Sequence, residues 1–330
     1  MKYYQVKNKK SHASVRQHYF NTERIKEMAD KRKVIITVAQ TGNFQGKAQN
    51  PNLPEQPSEI IQSAYDCYNA GAAIVHVHAR DKDGNSCNDP KVFAEINTGV
   101  RAKCNMITQN STAPATKPGS EADDGVQLLY DDSVRDALPE MCSLDTSLIT
   151  TVWGDLCFIY RWERDWLIKH GLRMRELGIK PEIEAFNLES VEDVYQYLVP
   201  AGVCKLTDDP NEPVNITLVM GMNKVSQGAI SYTQKNHDYM IDLILQNAAG
   251  MPVNMTTMAI AANQLHGVTY GMLKGCHARV GMEDNINYAY REPAKSNAQL
   301  VERMARIIRE LEMDVATPEE ARAMIGLKQI

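Results

Sequence analysis

Eight short apolar or β-branched runs punctuate the chain, with helical patterns spaced among them, and this alternation is its strongest constraint on fold. The runs read as strands over 33–40 (KVIITVAQ), 72–78 (AAIVHVH), 105–111 (NMITQNS), 141–147 (MCSLDTS), 181–187 (PEIEAFN), 214–221 (VNITLVMG), 252–260 (PVNMTTMAI) and 277–283 (HARVGME). Helical patterns lie between them, among them 57–71, 158–178 and 236–250. The first of these opens on Pro57 and stops at Gly71, matching the preference for proline at a helix start and glycine just past its end. Eight strand–helix units in 330 residues predict a (β/α)8 TIM barrel. An open doubly wound sheet is the alternative, and it calls for a glycine-rich G-x-G-x-x-G loop after the first strand. AQTGNFQGK at 39–47 lacks that spacing.

The chain divides into an N-terminal arm, 1–32, and a single barrel domain, 33–330, with a C-terminal helical extension. SNAQ at 296–299 and TPEE at 317–320 are capping-box patterns that open the last two helices. The polar loop 111–125 follows the third strand, on the face where barrel enzymes keep their sites.

Charge and composition narrow the partners. The net charge of −5 argues against nucleic acid, and no run of eighteen apolar residues predicts a membrane span. The first 33 residues carry 10 Lys/Arg against 3 Asp/Glu, without the apolar core of a secretory signal. A solvated arm packed on a neighbouring subunit is preferred there over contact with an anionic ligand or membrane. The seven cysteines are unpatterned and contain no C-x-x-C pair, which points to a reducing, cytoplasmic setting.

In a barrel the chemistry sits at the C-terminal ends of the strands. Read that way, the strand ends are unusually polar: Thr41, then His76 and His78, then Ser111, then Ser143 and Asp145, then Glu182 and Glu184, then Arg279, Glu283 and Asp284. His76 and His78 share one strand face because residues i and i+2 point the same way. Two imidazoles and a carboxylate are a common ligand set for a catalytic divalent ion, typically zinc. Glu283 is the expected third ligand, since the eighth strand closes the ring near the first two. Arg279 can clamp a substrate carboxylate, and Asp284 can act as a general base. Each residue also has a plainer reading. The histidines can be a hydrogen-bonded core pair, Glu283 a salt-bridge partner of Arg279, and Glu184 a core carboxylate.

The segments VIITVAQTG, NPNLP, AGAAIVHVHARDKDG, PEMCSLDT, KPEIEAFN, RVGMEDN and KSNAQLVERMARI resemble, in order, the β-keto acid cleavage enzymes. The resemblance implies a zinc-containing (β/α)8 barrel, usually a homotetramer. It implies a Claisen-type exchange in which a β-keto acid and acetyl-CoA give acetoacetate and a new acyl-CoA. On that resemblance His76, His78 and Glu283 are the Zn2+ ligands. Asp284 is the base, acting with Glu184 and Arg279, and Arg279 holds the substrate carboxylate. Ser111 stands near the thioester, and Thr41, Phe44, Ser143 and Asp145 contact substrate.

The chain departs from the family's pattern at several places. Phe44 replaces a glutamate that receives a substrate amine in the aminohexanoate enzyme. STAP at 111–114, GMNKVSQGAIS at 221–231 and Ala262–Asn263 replace glycine-rich segments near the acyl-CoA side. A metal-dependent hydrolase or a retro-aldol lyase on the same barrel, working without CoA, is the competing expectation.

Overall fold

In the computed structural model, which describes residues 31–329, the eight expected strands form a closed, wholly parallel barrel. They are β1 (Ile36–Ala39), β2 (Ile74–Val77), β3 (Ile107–Asn110), β4 (Met141–Asp145), β5 (Lys180–Ala185), β6 (Val214–Met220), β7 (Val253–Ala259) and β8 (His277–Val280). They follow one another around the ring in sequence order, and β8 pairs with β1, Arg279 opposite Thr37. Most of the basic arm expected over 1–32 lies outside the described residues.

The outer layer holds α1 (Pro57–Ala70), α2 (Pro90–Lys103), α3 (Arg164–Glu176), α4 (Leu188–Asp193), α5 (Gln234–Ala248), α6 (Gln264–Leu273), α7 (Asn297–Glu310) and α8 (Pro318–Ile325). Its caps follow the sequence signals closely. Gly71 ends α1 in the left-handed conformation with φ 112°. Thr317 and Glu320 form a reciprocal capping box at α8. At α7 Ser296 accepts from the Gln299 amide, but the Gln299 side chain reaches Lys295 N instead, so the box is only half made there. Apolar faces of the helices cover the strands, for example Leu300, Val301, Met304 and Ile308 of α7. At the bottom of the barrel Lys33–Val34 pairs with Asp314–Val315, tying the start of the barrel to the extension.

One expected element is different. Residues 158–178 read as a single helix, but the helix begins only at Arg164. Ser147–Trp153 and Leu156–Trp162 form an antiparallel hairpin joined at Gly154–Asp155. Phe158, Tyr160 and Trp162 alternate inward and stack on one another, the last against Phe186. This period of two is strand periodicity, and the inward aromatic stack supplies the burial that a helix here would forgo. Ser147 leaves β4 with φ 92°, a backbone region uncommon outside glycine, and so turns the chain off the barrel into the hairpin. A third short strand, Ser226–Gln227 from the loop after β6, pairs with the hairpin, reinforced by Thr151–Ser226 at 2.7 Å.

Candidate active site

The strand ends bring the two histidines and the carboxylates together at the barrel mouth. His76 Nε2 and His78 Nε2 lie 3.8 and 3.3 Å from the same Glu283 oxygen, Oε1. Glu283 is not on β8 itself. The strand stops at Val280, and Gly281, with φ 147°, turns the chain back over the mouth. A side chain at 281 would overlap the carbonyl of Ala39, and a Cβ at Gly42 would stand 2.7 Å from Glu283 Cγ. Two glycines therefore make room for one carboxylate.

The outer nitrogens of both rings are spoken for. His76 Nδ1 is 2.8 Å from Gln109 Oε1, and the Gln109 amide nitrogen donates to Glu182, which also accepts from Thr217. His78 Nδ1 is 3.0 Å from Asn43 Oδ1, while Asn43 Nδ2 donates to the Pro114 carbonyl at 3.0 Å. A carbonyl can only accept, so the Asn43 amide is fixed with its oxygen toward His78. Both imidazoles therefore carry a proton on Nδ1 and turn Nε2, the nitrogen available to a metal, toward Glu283. Burial, with Arg279 adding to it, pushes His76 down to about 3, so it is neutral. Two ring nitrogens and a carboxylate converge, and Glu283 Oε2 is buried without a partner. A cation relieves that arrangement, and the second layer of amide oxygens is what metal-ligating histidines require. Among the described residues, His76, His78 and Glu283 are the group placed to hold a metal ion.

Arg279 organises the other half of the site. It is buried; Nη1 reaches Glu184 at 2.9 Å, Nη2 reaches Glu283 at 2.8 Å and Asp284 at 3.1 Å, and Nε reaches Asp284 at 3.2 Å. The plainer reading of Glu283, a salt-bridge partner of Arg279, thus holds while the same carboxylate also stands beside the histidines. Four of the five guanidinium N–H groups have protein partners, which leaves one for a substrate carboxylate rather than a parallel pair.

Burial dominates the protonation of the carboxyls. It pushes Asp284 up to about 6 against the pull of Arg279, and Asp145 up to about 6 against Ser143 and His78. Glu184 rises well above the usual carboxylate range through burial and the neighbouring Asp145. Glu283 goes the other way: burial opposes its ionisation, but Arg279, 2.8 Å away, holds it below the usual range. Neighbouring carboxyls with separated proton affinities are the arrangement that assigns acid and base roles.

Above this floor opens a cavity of about 380 Å³. Phe44, Ser111, Asp145, Glu184, Arg279, Glu283, Asp284 and both histidines line it. Thr41 and Ser143 do not. Thr41 Oγ1 accepts from Arg80 Nε at 3.1 Å, and Ser143 Oγ accepts from the Thr112 amide at 3.2 Å, so both stand behind the wall. Gln109 and Asn43 were not among the residues that sequence reasoning selected. Gln109 sits directly across from His76 in the β2–β3 register, a signal available once that pairing is known. The hairpin residues Ile149, Trp153, Tyr160 and Trp162 also line the cavity, and Tyr160 and Trp162 fall in the segment 158–178 that reads as a helix.

Fold and site together define a (β/α)8-barrel enzyme with a candidate metal centre at the strand ends. The chain belongs to the beta-keto acid cleavage enzyme family, whose profile matches residues 33–327. It is similar to the 3-keto-5-aminohexanoate cleavage enzyme of Acetoanaerobium sticklandii, at 32% identity over 90% of this chain and 99% of that protein. It is also similar to the 3-oxoadipate:acetyl-CoA acetyltransferase of Cupriavidus necator, at 31% identity over 89% of this chain and 94% of that one. The apo structure of ObcA shares the fold, with a TM-score of 0.64 and 18% identity over 84% of this chain and 66% of that one. Among the described residues no helix is long and apolar enough to cross a membrane.

Proposed function

We propose that the protein catalyses a Claisen-type exchange between a β-keto acid and acetyl-CoA, giving acetoacetate and the CoA ester of the remaining acyl group. The observation that carries this reading is the meeting of a His76–His78–Glu283 ligand set and an Arg279-held Asp284 in one cavity, in a chain of this family. His76, His78 and Glu283 would hold the ion, and the nitrogen and oxygen donor set fits zinc. When bound, the ion supplies Lewis acidity toward the keto and carboxylate oxygens of the acid.

Asp284 takes a proton from the carbon between the two carbonyls. Its raised proton affinity makes it a stronger base than an exposed aspartate, and Arg279 fixes its two oxygens. The carbanion attacks the thioester carbonyl and expels the CoA thiolate. Ser111 Oγ accepts from the Ala113 amide at 3.1 Å, which leaves its own proton to donate to that carbonyl. The thiolate then attacks the original keto carbon, the bond between C2 and C3 breaks, and Asp284 returns its proton to C2 of the departing acetoacetate. Glu184 shares Arg279 with Asp284 and keeps the guanidinium in place. Asp145 lines the same wall with a buried oxygen, Oδ1, that has no partner, and it would receive a polar group of the substrate.

Three further elements belong to this reading. The barrel from residue 33 acts as one domain. The seven free cysteines suit a reducing, cytoplasmic compartment. Assembly into a homotetramer accords with the outer hairpin face, where Leu148, Val152 and Ile159 are 60%, 53% and 62% exposed.

The test is a mass-spectrometric assay of the metal-analysed protein with a panel of β-keto acids and acetyl-CoA. Acetoacetate and a matching acyl-CoA, formed only when both substrates are present, support the exchange. Cleavage that proceeds without acetyl-CoA replaces it with a hydrolytic or retro-aldol reaction.

A further inference from the structure

The hairpin after β4 does more than cover the barrel. Its tip carries Trp153, whose ring meets Phe44, from the loop after β1, at 5.4 Å between centroids. Both rings line the cavity that holds the histidines. The hairpin is held in place from two directions. Val152 N donates to Val225 O at 2.8 Å, and Asn187 Nδ2 bridges Ser147 Oγ at 3.1 Å and Gly228 O at 2.8 Å. Trp153 is therefore a positioned wall before any substrate arrives, and such preorganisation favours the molecule that fits it.

Most charges in the cavity are already committed. Of the carboxylates that line it, Glu184, Glu283 and Asp284 are each paired with Arg279, and Asp145 alone has an oxygen without a partner and no ion pair to that arginine. A cationic substituent would find only Asp145 free of a direct ion pair with that arginine. Away from this floor the charged lining residue is Lys224, which is exposed, and an exposed ion pair contributes little. The remaining walls carry no charge: Ile149, Tyr160 and Trp162 stand beside the Trp153–Phe44 pair, and Asn43, Gln45, Ser111 and Asn263 are the neutral polar side chains among them.

We infer that this enzyme takes β-keto acids whose substituent on the keto carbon is uncharged and apolar, with Trp153 and Phe44 as the specificity-determining pair. The inference rests on the Claisen-type reading for its chemistry, but it concerns recognition of the acid and has its own readout. Each methylene that enters an apolar pocket strengthens binding by about fourfold. A polar or charged tail of equal length forfeits that gain and loses hydration.

The experiment uses the full-length, metal-loaded protein. Straight-chain 3-oxo acids of five to eight carbons are compared with 3-oxoadipate and with a trimethylammonium-tailed 3-oxo acid. Acyl-CoA formation gives kcat/KM, and calorimetric titration of the same acids without acetyl-CoA gives affinity. The expected result is a rise of about fourfold per methylene in both measurements, with the charged acids at least tenfold below the alkyl acid of equal length. Trp153→Ala should flatten the rise to below twofold per methylene, and Phe44→Ala, on the opposite wall, provides the same readout if Trp153→Ala does not fold. A preference for either charged acid overturns the inference, and so does an undiminished chain-length dependence in a folded variant. If calorimetry shows the rise but no acyl-CoA forms with any acid, the exchange reading fails while this one stands. If no 3-oxo acid binds at all, both fail.

Discussion

Gln109 and His76 face each other across β2 and β3, with the amide oxygen 2.8 Å from Nδ1. Because the Gln109 nitrogen is taken by Glu182, the amide cannot turn over without breaking a buried hydrogen bond to a carboxylate. His76 is thereby locked with its bare nitrogen inward. Gln109→Leu keeps the volume but releases the ring. It should weaken divalent-metal affinity by about 10- to 100-fold while the protein stays folded. Competition with a coloured chelator reads this directly, and wild-type affinity in the variant would remove Gln109 from the site.

The ligand and base roles separate in two variants. His76→Ala should lose the metal. Asp284→Asn should retain it and lose activity by about 100- to 10,000-fold, the usual contribution of a positioned general base. Metal analysis beside the steady-state rate distinguishes them. Full turnover by Asp284→Asn would show that another group takes the proton.

Gly42→Ala tests the packing that places Glu283. The added methyl would lie 2.7 Å from Glu283 Cγ, so the carboxylate must swing away from the histidines. The expected outcome is a folded barrel with impaired metal binding. A variant with unchanged metal content would mean that the loop after Gly281 gives way instead.

Arg279→Met removes the one guanidinium that Glu184, Glu283 and Asp284 share. Taking one partner from a buried ionic group costs about 3–5 kcal/mol. Urea denaturation of the metal-free proteins should show a loss of that size, and Arg279→Lys should recover only part of it, because an ammonium cannot match the planar fork. Equal stability of wild type and Arg279→Met would contradict the ion network.

Two buried histidines outside the ligand set weaken the fold in acid. Burial pushes His237 and His277 down to about 4, and both are neutral in the folded chain. The unfolded chain protonates them near 6.5. The stability from these groups is therefore fully present above about pH 6.5 and drains away as the pH falls toward 4, by about 3 kcal/mol per histidine. Protonation of the buried Asp145, Asp284 and Glu184 favours the folded chain over the same range, so the histidine contribution is read against a His237→Gln, His277→Gln variant: wild type should lose stability relative to that variant as the pH falls from about 7 to about 4.5, and a constant difference would rule the account out.

The barrel was legible because its strands are separated, apolar and each bounded by a turn or cap signal. The candidate site was legible where its residues stand at strand ends, as with His76, His78, Glu184 and Arg279, which the barrel brings to one cavity. Two kinds of feature were not. The orienting amides Gln109 and Asn43 act through partners on other strands or loops, and single-strand periodicity carries no information about cross-strand register. The hairpin was hidden because Phe158–Trp162 runs without a break into α3, and five alternating residues also satisfy a helical pattern when joined to the residues of that helix. The Gly154–Asp155 pair between Trp153 and Leu156 was the available hairpin signal.

Closure of the barrel has a consequence for when the protein becomes functional. His76 and His78 are made early in synthesis, whereas Glu283 arrives only with the turn after β8, the last strand of the ring. A nascent chain that has released seven strands carries both imidazoles and their partners Gln109 and Asn43, with no carboxylate at 283 to complete the set. An ion held by this set would thus be completed only late in synthesis, and a product truncated before residue 283 would lack its third ligand.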